Sequence, residues 1–287
     1  MQCSLETGRV VPRWSAGPRG SPEGVTADLR KLFRSIQVFF PFAQEARFAL
    51  ARFLQRHGWR PVEPDLLALP RLGLAPDSLV LDVGANRGLV LELMRRLMPE
   101  ARIVGFEPNP RLAQALAVRW RRDPRVEIRA QALGEMASRA TLWVPVYRNW
   151  WFDGLASLDP EAARGWLSTE RLYGFRPDRL RLEPLPCETV RLDDLALAPA
   201  FVKLDVQGLE AAVLRGGEAT LRRHRPILLV EAGEAEAVRA VLEPLDYEPA
   251  AFVGGRLVAA PSHTVNTFFL PRERAGQLLA RATPDES

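Results

Sequence analysis

Apolar positions first fall into rhythm over residues 28–57, where Leu32, Phe33, Ile36, Phe39, Phe40, Phe48, Leu50 and Phe53 recur mostly at helical spacings. Pro41 predicts a break or kink within that stretch. The expected use of such an aromatic, amphipathic segment is to cover the end of a sheet rather than to lie on lipid. Beyond it, short apolar runs alternate with helical patterns. SLVLDVG, RIVGFEP and VEIRAQALG read as buried strands, with RGLVLELMRRLM and PRLAQALAVRWRR as the helices between them. AFVKLDVQG and PILLVEAG read as further strands flanking the helix LEAAVLRGGEATLRRH, and EAEAVRAVLEPL as the next helix. EPAAFVGGRLVAA predicts a hairpin about Gly254 and Gly255, and HTVNTFFLP a closing strand. This alternation predicts an α/β fold, a mostly parallel sheet with helices on both faces.

One stretch, about residues 137–195, interrupts the rhythm. It is too long for a simple crossover, and its ends, ATLWVPV and CETVRLDDL, read as added strands. Between them the chain is dense in aromatic residues. Trp150, Trp151, Trp166 and Tyr173 suit an acceptor pocket, and they suit burying one another equally well. The expected organisation is a flexible segment over 1–27, a helical cap over 28–72, the sheet domain with its insertion over 73–272, and a tail over 273–287.

Composition narrows the partners. No apolar run reaches the roughly 20 residues needed to span a bilayer, and MQCSLETGRVVPRW carries no export signal, so a cytoplasmic location is expected. Cys3 and Cys187 have no metal-ligand spacing, and no metal is expected. The net charge of +4 is carried by scattered arginines rather than a basic block, so no nucleic-acid partner is expected. Lys31 and Lys203 are the only lysines, which draws attention to Lys203 on an otherwise apolar strand.

In an open parallel sheet, ligands bind beyond the carboxyl ends of the strands, where strand order reverses. Asp82, Gly84, Ala85, Asn86 and Gly88 fall at such an end. Glu107, followed by Pro108 and Asn109, ends the second strand, where an acid can accept both hydroxyls of a ribose. The first turn lacks G-x-G-x-x-G, so it has no pyrophosphate cradle. A cofactor with a ribose and no phosphate fits better, and S-adenosylmethionine is the candidate.

DVGANRG, FEPNP, QALG, RLDDL, VKLDVQGLEAAVLRGG and RPILLVE, in that order, resemble the FkbM family of S-adenosylmethionine-dependent methyltransferases over residues 75–271. The resemblance implies the class I methyltransferase fold, a Rossmann-like sheet of seven strands with the last one antiparallel. It also implies O-methylation of a small-molecule or glycan hydroxyl, on a sugar, glycolipid or other natural product; a homodimer is compatible with it. Asp82, Gly84, Asn86, Gly88 and Glu107 match the family's cofactor residues, and Ala132 and Leu133 would lie near the adenine. Lys203, Asp205, Gly208 and Glu210 match its K-x-D-x-E-G-x-E stretch, with Gln207 where a Glu is usual and Leu209 where a His is frequent. Asp205 is the first choice as proton acceptor, with Glu210 and Glu231 as alternative acids. Lys203 reads as their neutraliser or, with a lowered pKa, as the base. The same charges also read as a structural ion-pair cluster. Methylation of an RNA ribose is the competing activity, and a cofactor-binding module without turnover, favoured by Gln207 and Leu209, the competing class.

Overall fold

The structure, a computed structural model, describes residues 31–40, 43–59, 61, 63–231, 235–260 and 266–280. Pro41 and the segment expected to be flexible, 1–27, lie outside them. Residues 31–37 are helical, followed by α1 (Ala43–Arg56) and a 3-10 segment (Pro64–Arg71). The alternating region then gives β1 (Leu79–Val83), α2 (Leu89–Leu97), β2 (Arg102–Phe106), α3 (Pro110–Trp120) and β3 (Val126–Arg129). β4 (Ala132–Leu133) follows, and the insertion gives β5 (Ser138–Tyr147), β6 (Trp150–Trp151), α4 (Pro160–Gly165) and β7 (Leu180–Val190). The alternation resumes with β8 (Phe201–Leu204), α5 (Glu210–Arg215), α6 (Glu218–His224), β9 (Ile227–Glu231) and α7 (Ala235–Leu242). β10 (Tyr247–Val253), β11 (Arg256–Ala259), β12 (Asn266–Pro271) and α8 (Arg272–Ala280) close the chain.

The main sheet runs β11-β10-β12-β9-β8-β1-β2-β3. β3, β2, β1, β8 and β9 are mutually parallel, and β12 lies antiparallel between β9 and β10. This is the expected class I arrangement, with β11 added at one edge as the second arm of the predicted hairpin. The order reverses between β1 and β8, so a crevice opens at their carboxyl ends.

Period-2 alternation sorts the strand residues onto two faces. Leu81, Val83, Val202, Leu204, Leu228 and Val230 pack with α5, α6 and α7. Val80, Phe201, Leu229 and Phe268 pack on the other face, under the 3-10 segment, α2 and α8. Asp82, Lys203, Glu231 and Asn266 share the parity of that second set. Four polar strand ends therefore face the N-terminal cap.

Three elements differ from expectation. VEIRAQALG is not one strand: β3 stops at Arg129, and Ala132–Leu133 leave the main sheet to pair with Thr189–Val190 of β7. The expected tail is helical over Arg272–Ala280, because Ala275 and Leu278, three residues apart, are buried against the sheet. α1 turns Gln44 and Gln55 inward and leaves Leu50 and Phe53 exposed, so the covering is done by Leu66, Leu69 and Leu72 of the 3-10 region. Among the described residues, no helix is long and apolar enough to cross a membrane.

Candidate active site

The loop leaving β1 is shaped by its neighbours. Gly84 has φ of +90°, and a Cβ there would lie 1.9 Å from the main-chain oxygen of Asp205, so only glycine lets the loops after β1 and β8 touch. The N–H groups of Gly84 and Ala85 both donate to the carbonyl of Phe106, at 3.0 and 2.9 Å. Gly88, at φ of +76°, precedes α2, and a side chain there would strike Leu116 of α3. Three strand ends are thereby drawn together.

Glu107 is the fixed point of this arrangement. Its carboxylate accepts from the N–H of Asn86 at 2.6 Å and from the N–H of Asn109 at 2.8 Å. Asn109 also caps α3, its side chain accepting from the N–H of Arg111. Burial pushes the Glu107 carboxyl up to about 7, against the pull of those two hydrogen bonds.

A cleft with about 670 Å³ of empty space, part of it open to solvent, lies at this point. Gly84, Asn86, Glu107, Pro108, Ala132 and Leu133, all singled out from the sequence as cofactor-binding, line it, and so does Asp205. Ala85, Gly88 and Asn109 are buried behind that lining. The insertion supplies the opposite wall through Leu142 and the 153–158 turn. Asp153 there accepts from Arg87 at 2.6 Å, and Arg87 also pairs with Glu45 of α1 and lies over the Phe48 ring. Arg87, in the loop after β1, thus ties the cap to the insertion.

The polar strand ends converge below the cavity. Asp82 pairs in register with Lys203, and its two carboxylate oxygens are buried without a hydrogen-bond partner among the described residues. Burial pushes the Asp82 carboxyl up to about 7, opposed by Lys203. The Lys203 ammonium lies 3.0 Å from Asp205 and 3.1 Å from Glu63. Burial alone would drive its pKa down, but Asp205, Glu63 and Asp82 together hold it up, which favours the cationic form of Lys203.

Asp205 is the charged member that reaches the cavity. Burial works against its ionised form, yet Lys203 and hydrogen bonds from Glu231 and Gln207 hold its carboxyl below the ordinary range. The Gln207 amide donates to Asp205 at 2.9 Å and to Glu231 at 3.4 Å. Glu231 is pushed well up, by burial first and then by sharing a proton with Asp205. At neutral pH the pair therefore shares one proton between its two carboxyls.

Glu210 sits elsewhere. Its carboxylate accepts from the N–H groups of Val206 and Gly208, bracing a loop in which Gln207 and Gly208 have φ of +55° and +92°. The aromatic residues of the insertion are not among the cavity's lining residues either. Trp150 is buried with Tyr147, Phe152, Leu167 and Leu172 in the insertion's own core. Trp151 carries Arg111 over its ring, Trp166 carries Arg34 and Arg171, and half-exposed Tyr173 carries Lys31. Sequence reasoning missed Glu63, which no local pattern brings to β8, and Asp153, hidden in an aromatic stretch that showed no periodicity.

Known proteins resemble this chain over the same region. The methyltransferase FkbM domain matches residues 82–249, more than half of the chain. The AMB antimetabolite synthetase AmbE of Pseudomonas aeruginosa is 32% identical over 207 residues, which cover 61% of this chain and 10% of AmbE. The 2-O-methyltransferase NoeI of Sinorhizobium fredii is 27% identical over 161 residues, covering 52% of this chain and 61% of NoeI. The chain thus spans less than two thirds of either relative. The crystal structure of an FkbM methyltransferase from Methylobacillus flagellatus aligns with a TM-score of 0.44 at 16% identity, over 68% of this chain and 44% of that one.

Proposed function

The chain belongs to the FkbM methyltransferase family, and from that premise we propose that it transfers a methyl group from S-adenosylmethionine to a hydroxyl of a sugar, glycolipid or other natural-product small molecule. The observation that carries the reading is the Asp205 carboxylate, which lines the cavity, while its main-chain oxygen touches the loop after β1. NoeI is a 2-O-methyltransferase, which supports an oxygen acceptor.

The residues present fit the cofactor. Glu107, pinned by two N–H donors, keeps lone pairs free for the two ribose hydroxyls. Asp82, an orphaned carboxylate beneath the cavity, suits the cationic amino-acid end. Ala132 and Leu133 offer a small, apolar wall for the adenine. When bound, the cofactor supplies a methyl group already electrophilic enough to react with an aligned oxygen.

What remains for the protein is alignment and removal of one proton. Asp205 accepts a hydrogen bond from the acceptor O–H and fixes its direction. As the oxygen loses its proton, the proton moves to the Asp205–Glu231 pair, and Lys203 and Gln207 limit the charge change there. The Gln207 amide donates where a third carboxylate would repel, so Gln207 completes this network rather than breaking it.

Calorimetric titration with S-adenosylmethionine tests the reading, with NAD as control ligand. Micromolar binding by the wild type, lost in Glu107→Ala and absent for NAD, is expected. A folded wild type that binds no S-adenosylmethionine would overturn it. Binders then go to an acceptor screen of hydroxylated glycans and lipids.

A further inference from the structure

The two N-terminal helical segments carry their apolar faces outward. Residues 31–40 dock on the insertion through Ser35, which accepts from the N–H of Tyr173, and through Val38, buried with Tyr147, Trp150 and Leu172. That docking turns Leu32, Phe33, Ile36 and Phe39 to the surface, with Phe33 57% and Phe39 59% exposed. α1 adjoins this segment: Arg47 lies over Phe33, and Leu50 and Phe53, about one and two turns further on, are exposed. A patch of this kind is not the scattered exposure of an ordinary surface.

Cations frame it. Beside Phe39 and Val38, a groove of about 1020 Å³ is lined by Arg148, Arg179 and Arg181, and Arg148 lies over the Phe39 ring. The one acid in that lining, Asp178, is already paired with Arg176. Arg148 and Asn149, both at positive φ, form the two-residue turn between β5 and β6, so the sheet holds the groove's rim in place. The insertion that lines the cofactor cavity at Leu142 also lines this groove at Val146.

We propose that this surface docks the protein on an anionic lipid bilayer. The exposed aromatic and aliphatic side chains enter the interface, and the arginine-lined groove receives lipid phosphates. Charge complementarity selects this occupant over a second copy of the chain: a two-fold pairing would set the arginine rim against itself. The proposal stands apart from the nature of the methyl acceptor.

Co-sedimentation of the full chain with vesicles decides it. The expected result is binding to equimolar phosphatidylglycerol and phosphatidylcholine, weakened by salt, with little binding to phosphatidylcholine alone. Changing Phe33, Ile36 and Phe39 together to Ser should lower the bound fraction about tenfold or more. These side chains are exposed, so the melting temperature should hold. Arg148→Glu with Arg181→Glu should abolish the preference for anionic vesicles. Absence of vesicle binding, or binding unchanged in the triple variant, would overturn the proposal. So would a wild-type dimer, seen by light scattering, that the triple variant breaks without any lipid binding.

Discussion

Asp205 lies between Lys203, which favours its charged form, and Glu231, with which it shares a proton, and this arrangement bears on which group accepts the acceptor's proton. A carboxylate held ionised by Lys203 orients a hydroxyl well but is a weak base. Glu231, raised by burial and by Asp205, becomes the stronger base once its own proton leaves. Turnover should therefore rise with pH above neutrality in the wild type, measured as kcat/KM against the acceptor. Glu231→Gln should remove the rise and lower the rate, while Asp205→Asn should lower the rate roughly a hundredfold or more at every pH. A flat wild-type profile across the alkaline range would assign the proton to Asp205 alone. Glu63 shows what one-dimensional reading misses at this scale. Asp82, Glu107 and Asp205 stand out because each follows an apolar run at a strand end, whereas Glu63 reaches Lys203 only through the path of the cap.

Elements were legible where one periodicity held and obscure where two packing demands met. The parallel strands and their helices follow from apolar alternation, and the closing hairpin from Gly254 and Gly255. LEAAVLRGGEATLRRH, read as one helix, is two, because Gly216 and Gly217 interrupt it. The cause is a close approach: a Cβ on Gly216 would lie 1.9 Å from the main-chain oxygen of Gly134. Gly134 directly follows β4, whose Ala132 and Leu133 line the cavity. Gly216→Ala should thus cost about 1–3 kcal/mol and weaken cofactor binding, read from chemical denaturation and calorimetry. Gly165→Ala, with nothing within 4 Å of the added carbon, is the control and should stay within about 0.5 kcal/mol. Equal effects of the two would show that the Gly134 contact does not constrain β4. The same competition explains the inverted α1: its spacing announced an apolar face, but not which side would meet the protein.

For the molecule as a whole, the site sets a cost that the fold carries until a ligand arrives. Asp82 and Glu107 are buried acids whose carboxyls are raised from ordinary values to about 7. For such groups the unfolded chain loses its protons first, so the folded state is penalised as pH rises from about 4 to about 7. Each acid accounts for roughly 3–4 kcal/mol across that window. Glu231, also raised, extends the fall into the alkaline range. Asp205, held low, acts in the other direction only below about 4, where its favourable pairing is lost on protonation. Stability of the ligand-free protein, measured by urea denaturation between pH 5 and pH 8, should decline with pH, and Glu107→Gln should flatten the slope. Cofactor binding calls on the ionised forms of both acids, so affinity should strengthen over the same interval, and binding should release protons below pH 7, visible as a buffer-dependent heat. A stability that rises from pH 5 to pH 8 would show that these carboxylates are already satisfied in the free protein, and Asp82 would then be a structural partner of Lys203 rather than a vacant contact for a cationic ligand.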